Sequence, residues 1–234
     1  MKEQRERRTP ARTVAVLAMP LYLVVFWIAL WAPRWTGYPR NVFVLPSAVT
    51  HGLMVLGSII LIVTLGRGEW RRFGFTRGSY RFRPAILLWV LPTAAFAILG
   101  SLSGGARNST RSPLSGSPLQ TILFVWIVAS ISEEIFARGL FQGLLSDWST
   151  RGVRLFRRWF LGLPVWISAV TFGLGHLVLL PIMGSMTIPI CISATLLGLL
   201  AGYHRQVSGS LIPAILVHAL FNIGGTLPAW LISR

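Results

Sequence analysis

Seven apolar stretches, most of them separated by Arg-bearing connections, leave this chain few folds to choose from. They run Val14–Ala32, Val42–Leu65, Pro84–Leu102, Pro118–Leu145, Leu161–Met183, Met186–Tyr203 and Ser210–Ile232. Each is near or above the roughly 20 residues a helix needs to cross hydrocarbon, with Met186–Tyr203 on the short side. Inside a bilayer the backbone must satisfy its own hydrogen bonds, which makes such stretches helices. The expectation is an all-α, polytopic membrane helical bundle of about seven transmembrane helices, six to eight, forming one membrane domain over residues 1–234. Composition agrees: 53% of residues are hydrophobic and 12% charged, with a mean hydropathy of +0.65, whereas a soluble domain is about a quarter charged.

The formal net charge of +16 raises the question of nucleic acid, but the basic residues sit between apolar runs rather than along amphipathic faces. That placement reads as orientation in a membrane and contact with anionic lipid heads, with no nucleic-acid partner. With the N-terminus in the cytoplasm, the inside segments hold Lys2, Arg5, Arg7, Arg8 and Arg12, then Arg67 to Arg83, then Arg151 to Arg158, then Arg205. Outside fall only Arg34, Arg40, Arg107, Arg111 and Arg234. The bias follows the positive-inside rule through every loop. The head Met1–Arg8 leads into an apolar run too long for a signal segment and without a small-residue cleavage site, so it reads as an uncleaved first span. The expected location is therefore an integral, multi-pass membrane protein, in the inner membrane if the source is bacterial. The Gly/Ser-rich loop Ser103–Ser117 falls outside. Single Cys191 excludes an intramolecular disulfide and any cysteine-based metal cluster. Pro20, Pro46, Pro92 and Pro164 are expected to kink spans, and His204 to lie in a short basic turn.

The chain has six acidic residues, and two of them, Glu133 and Glu134, stand side by side within the fourth apolar run, followed by Arg138. An ionisable residue at such depth costs at least ~2.5 kcal/mol on insertion scales, so this group is a functional-site candidate. At 1.5 Å per residue, Glu133 lies about 18 Å from the end of its span at Leu145. His176 lies about 22 Å along the fifth span, and His218 and Asn222 about 12 and 18 Å along the last. Polar groups of three spans thus share one slab of the membrane.

Residues four apart share a helix face, so Glu134 can pair with Arg138, Phe172 stands with His176, and His218 projects with Asn222. Glu133 is turned about a hundred degrees away and escapes the pairing. A carboxylate kept from bulk water suits a general base that takes a proton from water. A neighbouring His can help hold that water, while a second His and an Asn amide can donate to the oxyanion of a tetrahedral intermediate. Those four side chains suffice for amide hydrolysis. His51, in the second span, is ambiguous and reads more readily as structural. Gly139/Gly143 and Gly198/Gly202 read as close helix contacts.

Glu133-Glu134 with Arg138, then Phe172 with His176, then His218 with Asn222, resemble in order the three signatures of the CAAX-protease and bacteriocin-processing (CPBP, or Abi) family. That family of intramembrane endopeptidases includes the type II CAAX prenyl endopeptidases. The flanking Arg-Gly-Leu-Phe-Gln-Gly and Gly-Ser-Leu-Ile-Pro-Ala-Ile-Leu-Val-His are similar too, and the resemblance covers about residues 119–224. Ala137 stands where many relatives carry an aromatic residue, which touches packing and not chemistry.

The resemblance implies an intramembrane endopeptidase working near the cytoplasmic membrane face. By it Glu133 is the base, assisted by His176, with His218 and Asn222 stabilising the oxyanion; Glu134, Arg138 and Phe172 support them. Relatives have been called metalloproteases, and Glu133, His176 and His218 are the residues that could ligate zinc. His-Glu-x-x-His spacing is absent, however, and glutamate-activated water needs no metal, so no cofactor is expected. The expected partners are membrane lipids and a peptide or protein substrate, for example a lipidated or C-terminal sorting segment. The alternative is a non-enzymatic membrane scaffold, or an immunity or regulatory protein, of the same fold. A transporter is disfavoured because no repeated halves are evident.

Overall fold

The computed structural model describes residues 9–35, 44–81, 87, 90–102, 117–155 and 159–232. Seven helices run through these residues: α1 (Thr9–Trp35), α2 (Val44–Thr64), α3 (Val90–Leu102), α4 (Pro118–Leu144), α5 (Leu163–Gly175), α6 (Thr187–Ser208) and α7 (Ile212–Ile232). Three described segments are long and apolar enough to cross a membrane: Ser47–Thr64, Pro118–Leu144 and Gly184–Ser208. Shorter apolar helical stretches lie in Met19–Ala32, Leu163–Leu179 and Ile212–Pro228. The architecture is the all-α bundle expected for a membrane protein.

The outer surface has the same character. Leu56, Ile60 and Val63 of α2 stand one or two turns apart and are exposed, as are Ile188, Ile192 and Leu196 of α6 and Leu23, Val24, Trp27 and Ile28 of α1. Contiguous large apolar faces of this kind are poorly tolerated in water and natural against lipid tails.

Helix α4 is the centre of the bundle. It opens on a reciprocal cap, the Ser117 hydroxyl accepting from the Gln120 amide and the Gln120 side chain accepting from the Ser117 N–H, with Pro118 in the first turn. Wide π-helical turns occupy Thr121–Ala129 and Ile135–Phe141, and the α-helical turn Ser130–Glu134 between them carries both glutamates. Such wide turns recur at functional sites. One side of α4 packs Phe136, Leu140 and Phe141 against Tyr22 of α1 and Met54 of α2. The other brings Ala137 against Phe172 of α5, Leu197 and Ala201 of α6, and Val217 of α7. Ala137 is fully buried there, and its small size lets these three helices close on α4.

The α2–α3, α4–α5 and α6–α7 connections meet at one end of the bundle. Arg72 pairs with Asp147 at 3.1 Å and donates to the Gly143 carbonyl, while Arg205 donates to the Arg72 carbonyl. The Leu211 amide donates to Gly74, and the Ser79 amide to Ser208. Gly78 is required at this junction: its φ is +57° and a Cβ would stand 2.0 Å from the Ser208 carbonyl oxygen. Exposed Arg67, Arg71, Arg77, Arg81, Arg151 and Arg154 therefore gather at that end. The head residues Lys2, Arg5, Arg7 and Arg8, together with Arg40, Arg83, Arg107, Arg111, Arg157, Arg158, Arg234 and almost all of the loop Ser103–Ser117, lie outside the described residues. So do the side chains of Arg12, Arg34 and Pro46.

Several boundaries differ from the sequence reading. Between α4 and α5 the chain forms an antiparallel pair, β1 (Gly152–Leu155) with β2 (Trp159–Gly162). Leu161 therefore belongs to a strand, and α5 begins at Leu163. The strand is held to α6 by Gln206, whose carbonyl oxygen accepts from Gly162 N–H and whose amide donates to the Phe160 carbonyl. Pro164 falls in the first turn of α5, where a missing N–H costs nothing, so it starts a helix instead of kinking one. His204 is not in a turn. Helix α6 continues through it to Ser208 and ends on Gly209 in the left-handed conformation.

Three of the four glycines paired by spacing do make close contacts. A Cβ on Gly143 would meet Phe73 at 2.5 Å, one on Gly198 the Ala169 Cα at 2.8 Å, and one on Gly202 Val165 at 2.9 Å. Gly139 has ordinary clearance, with Leu211 at 3.5 Å. Gly198 also leaves room for Arg138 Nη2, which would stand 3.0 Å from its Cβ. Gly198→Ala should therefore destabilise the protein by about 1–3 kcal/mol, because backbone must give way. A thermal-unfolding midpoint in detergent equal to wild type would contradict that packing.

Candidate active site

The α-helical turn Ser130–Glu134 sends polar side chains to two neighbouring helices. Glu134 is fully buried, and its Oε2 stands 3.3 Å from Arg138 Nε, one turn on and equally buried. Its other oxygen, Oε1, is 2.8 Å from His218 Nδ1 on α7. A carboxylate paired with arginine is an acceptor, so His218 donates from Nδ1. The far nitrogen of the same ring, Nε2, lies 3.7 Å from Glu133 Oε2. His218 thus stands between the two glutamates, with Glu133 the more open of them at 21% side-chain exposure against 0% for Glu134.

Arg138 is tied in on its other sides as well. Its guanidinium lies 4.8 Å above the centre of the Phe172 ring, a geometry that favours a cation removed from water. Nη1 is 3.5 Å from the Ser168 hydroxyl, which itself donates to the Ala137 carbonyl. Phe172 meets His218 and His176 edge-on, with ring centres 5.9 and 5.0 Å apart. His176 caps α5 and opens a short 3-10 turn, His176–Leu179. Its Nδ1 donates to the Phe172 carbonyl at 2.9 Å, which leaves Nε2 available.

The structure therefore brings Glu133, Glu134, Arg138, Phe172 and His218 into direct contact, with His176 joined through Phe172. Asn222 lies one turn along α7 from His218. Its amide donates to the Val125 carbonyl at 2.8 Å and to the Ser130 hydroxyl at 3.1 Å. Both contacts fall on α4, so Asn222 pins α7 to the turn that bears the glutamates.

Two serines of that turn escaped the sequence reading. Ser130 is buried against Asn222, and Ser132 is buried with its hydroxyl 2.8 Å from Nδ1 of His51 on α2. Hydroxyls inside an apolar run read as small packing residues. Ser130, four residues before Glu134, nevertheless shares its face, so the spacing rule that found the ion pair could have found it.

Among the described residues no three His, Cys, Asp or Glu side chains are grouped to hold a metal ion. His218 directs Nδ1 at Glu134 and His176 directs Nδ1 at a backbone carbonyl, so Nε2 is the nitrogen that each ring has left for another partner.

Compared with known protein families, residues 115–224 match the type II CAAX prenyl endopeptidase Rce1-like family. No curated protein and no solved structure matches the chain. The matched stretch begins just before α4 and ends at Gly224 on α7, and so contains both glutamates, Arg138, Phe172, both site histidines and Asn222. Through these residues, over 115–224, this part of the chain is similar to the Rce1-like family of type II CAAX prenyl endopeptidases.

Proposed function

We propose that this protein is a multi-pass intramembrane endopeptidase that hydrolyses a peptide bond near the cytoplasmic membrane face with water activated by Glu133. The observation that carries the reading is His218 set between Glu133 and Glu134, with the second glutamate neutralised by buried Arg138. One carboxylate serves as a fixed counter-charge, and the other is left to exchange a proton.

In this mechanism Glu133 accepts a proton from a water molecule, and the resulting hydroxide attacks the scissile carbonyl carbon. His176, anchored through Nδ1, offers Nε2 to orient that water. His218 keeps its Nδ1–H on Glu134 and presents Nε2–H to the oxyanion. Asn222 adds a second donor by exchanging its longer hydrogen bond, to Ser130, for that oxyanion. Glu133 then passes its proton to the leaving amine, which restores the base. No metal enters any step.

The gathering of exposed arginines at one end of the bundle supports an N-terminus and a site that face the cytoplasm, in the inner membrane if the source is bacterial. The substrate class is a membrane-proximal peptide or protein segment, lipidated or a C-terminal sorting tail. Lipids are the other partner, and nucleic acid is not one.

Cleavage of a peptide library by purified protein in detergent, and its loss in Glu133→Ala, tests the reading. Activity that survives strong chelation supports the metal-free route. A folded wild type that cleaves nothing would favour a scaffold or regulatory protein on the same fold. Asn222→Ala is expected to lower kcat by about 100-fold or more, as loss of one oxyanion donor does. A kcat within about threefold of wild type would remove Asn222 from the donor set.

A further inference from the structure

The strand pair that joins α4 to α5 has no part in the mechanism above. Its register sets Gly152 against Gly162, Val153 against Leu161, Arg154 against Phe160 and Leu155 against Trp159. Along an antiparallel pair, the backbone groups of alternate residues point toward the partner strand and away from it. Two anchors fix which is which here. Gln206 of α6 bonds the Gly162 N–H and the Phe160 carbonyl from beyond β2, and the Leu163 N–H donates to the Arg151 carbonyl across the pair. Phe160 and Gly162 therefore face away from β1, and their cross-strand partners, Arg154 and Gly152, face away from β2.

The outer edge of β2 is closed by α6, whereas that of β1 is open. Gly152, Val153 and Arg154 are exposed, and among the described residues no hydrogen bond reaches the outward N–H and C=O groups of Gly152 and Arg154. A Cβ on Gly152 would stand 2.1 Å from the Leu161 carbonyl oxygen, so close strand pairing requires glycine there and leaves no side chain to obstruct the edge. Arg151 and Arg154 belong to the exposed arginines gathered at this end of the bundle. The carboxylates described there are Glu69 and Asp147, and Asp147 is taken by Arg72. Donors and acceptors alternate along the open edge at strand spacing. An extended peptide backbone satisfies both, which a lipid phosphate, an acceptor only, does not. A second copy of this chain is disfavoured, because edge-to-edge pairing would set arginine near arginine.

We propose that the open edge of β1 is a substrate exosite: it takes an acidic, extended segment of the substrate as a third strand and holds it while the scissile bond lies at Glu133. The inference rests on the hydrolytic reading of Glu133. Strand β1 follows α4, which carries Glu133, and β2 leads into α5, which ends at His176. From the last turn of α4 back to Glu133 is about 16 Å, and from Leu163 to His176 about 20 Å. An extended chain covers that length in about five or six residues. The acidic segment is therefore expected at least about six residues from the cleaved bond.

The test extends a peptide that wild type cleaves by a Gly/Ser spacer of about six residues and one of three arms: alternating Glu and Val, alternating Lys and Val, or the Glu–Val arm with alternate backbone nitrogens methylated. Assays are run in nanodiscs of neutral phosphatidylcholine. The Glu–Val arm should lower KM by about tenfold with kcat within about twofold, and the Lys–Val arm should not. Methylation, made in both registers, should remove most of that gain in at least one of them with the charge intact. Arg154→Pro deletes an outward N–H and leaves the inward pairs, and should lose the gain more fully than Arg154→Ala. A gain that survives methylation in both registers would be charge attraction alone and would overturn the inference, as would equal KM for all arms. The methylated arms change no residue of the protein, so they decide even where Arg154→Pro lowers the unfolding midpoint.

Binding can be read without turnover. The fluorescein-labelled Glu–Val arm by itself, followed by fluorescence anisotropy in the same nanodiscs, should bind at least about fivefold more tightly than its methylated form in one register. That margin should vanish in Arg154→Pro. Equal binding of the methylated and unmethylated arms overturns the inference whatever the rates show. A preference for the unmethylated arm in a protein that cleaves no peptide would uphold the strand-pairing edge and refute the protease reading alone.

Discussion

Arg138→Ala is expected to lose most of the folded protein, and to do so before any question of catalysis arises. The substitution removes a fully buried guanidinium and strands the fully buried carboxylate of Glu134. Breaking one side of such a pair costs about 3–5 kcal/mol, because an uncompensated charge remains in low dielectric. That is a large share of the roughly 5–15 kcal/mol that separates folded from unfolded domains. The stacking on Phe172 and the contact with Ser168 go with it. Size-exclusion and thermal-unfolding measurements in detergent should show a small folded fraction and a much lower midpoint.

A double variant, Glu134→Gln with Arg138→Met, separates charge from shape. It removes both charges, keeps an acceptor for His218 Nδ1, and should recover a good part of the stability, since neutral replacements of buried pairs are often well tolerated. A single variant with normal yield and midpoint would refute the account of Arg138 as the buried counter-charge of Glu134.

The second large effect is catalytic. Glu133→Gln should lower kcat by about 100- to 10,000-fold, the range that a positioned general base supplies, and leave the fold alone. The contrast with Glu134 comes from burial and partners. Glu133 is partly open, and among the described residues its approach to His218 Nε2 is 3.7 Å long. An amide of the same shape leaves no buried charge unpaired, so the unfolding midpoint should move little. Glu133→Ala should abolish turnover likewise. Parallel measurement of kcat and unfolding for Glu133→Gln and Arg138→Ala should therefore give opposite profiles, one inactive and stable, the other unstable. Wild-type turnover in Glu133→Gln would end the reading of this residue as the base.

The contacts that were legible in the sequence are those made within one helix. Glu134 with Arg138 follows from a spacing of four on a continuous helix, and so does Phe172 beneath His176. The bundle itself was legible for a similar reason, since length and hydropathy of each stretch are local quantities. The exceptions are instructive. Trp159–Gly162 is apolar enough to pass for the start of a span, yet it pairs as a strand because Gln206, 44 residues away, takes up its edge. His204 looked like a turn residue because Tyr203-His-Arg is polar, but packing and the Gly209 cap carry α6 past it. The wide turns of α4 leave no mark in composition.

By itself, then, the sequence determined that this is a membrane helix bundle with charges inside it, because burying the apolar side chains of each stretch and closing its backbone hydrogen bonds need no knowledge of the rest of the chain. It also brought the polar residues of three spans to a common depth, which rise per residue alone supplies. Which of them touch was decided by tertiary structure. His218 reaches Glu134 across 84 residues and Glu133 beside it, Asn222 turns its amide to Val125 and Ser130 and not toward His218, and His51 finds Ser132. Those contacts depend on how the helices are rotated and how closely they approach, and that is set by small residues such as Ala137 and Gly198 where helices press together. Local periodicity places a side chain on a face; only the packing of one helix on another decides what that face meets.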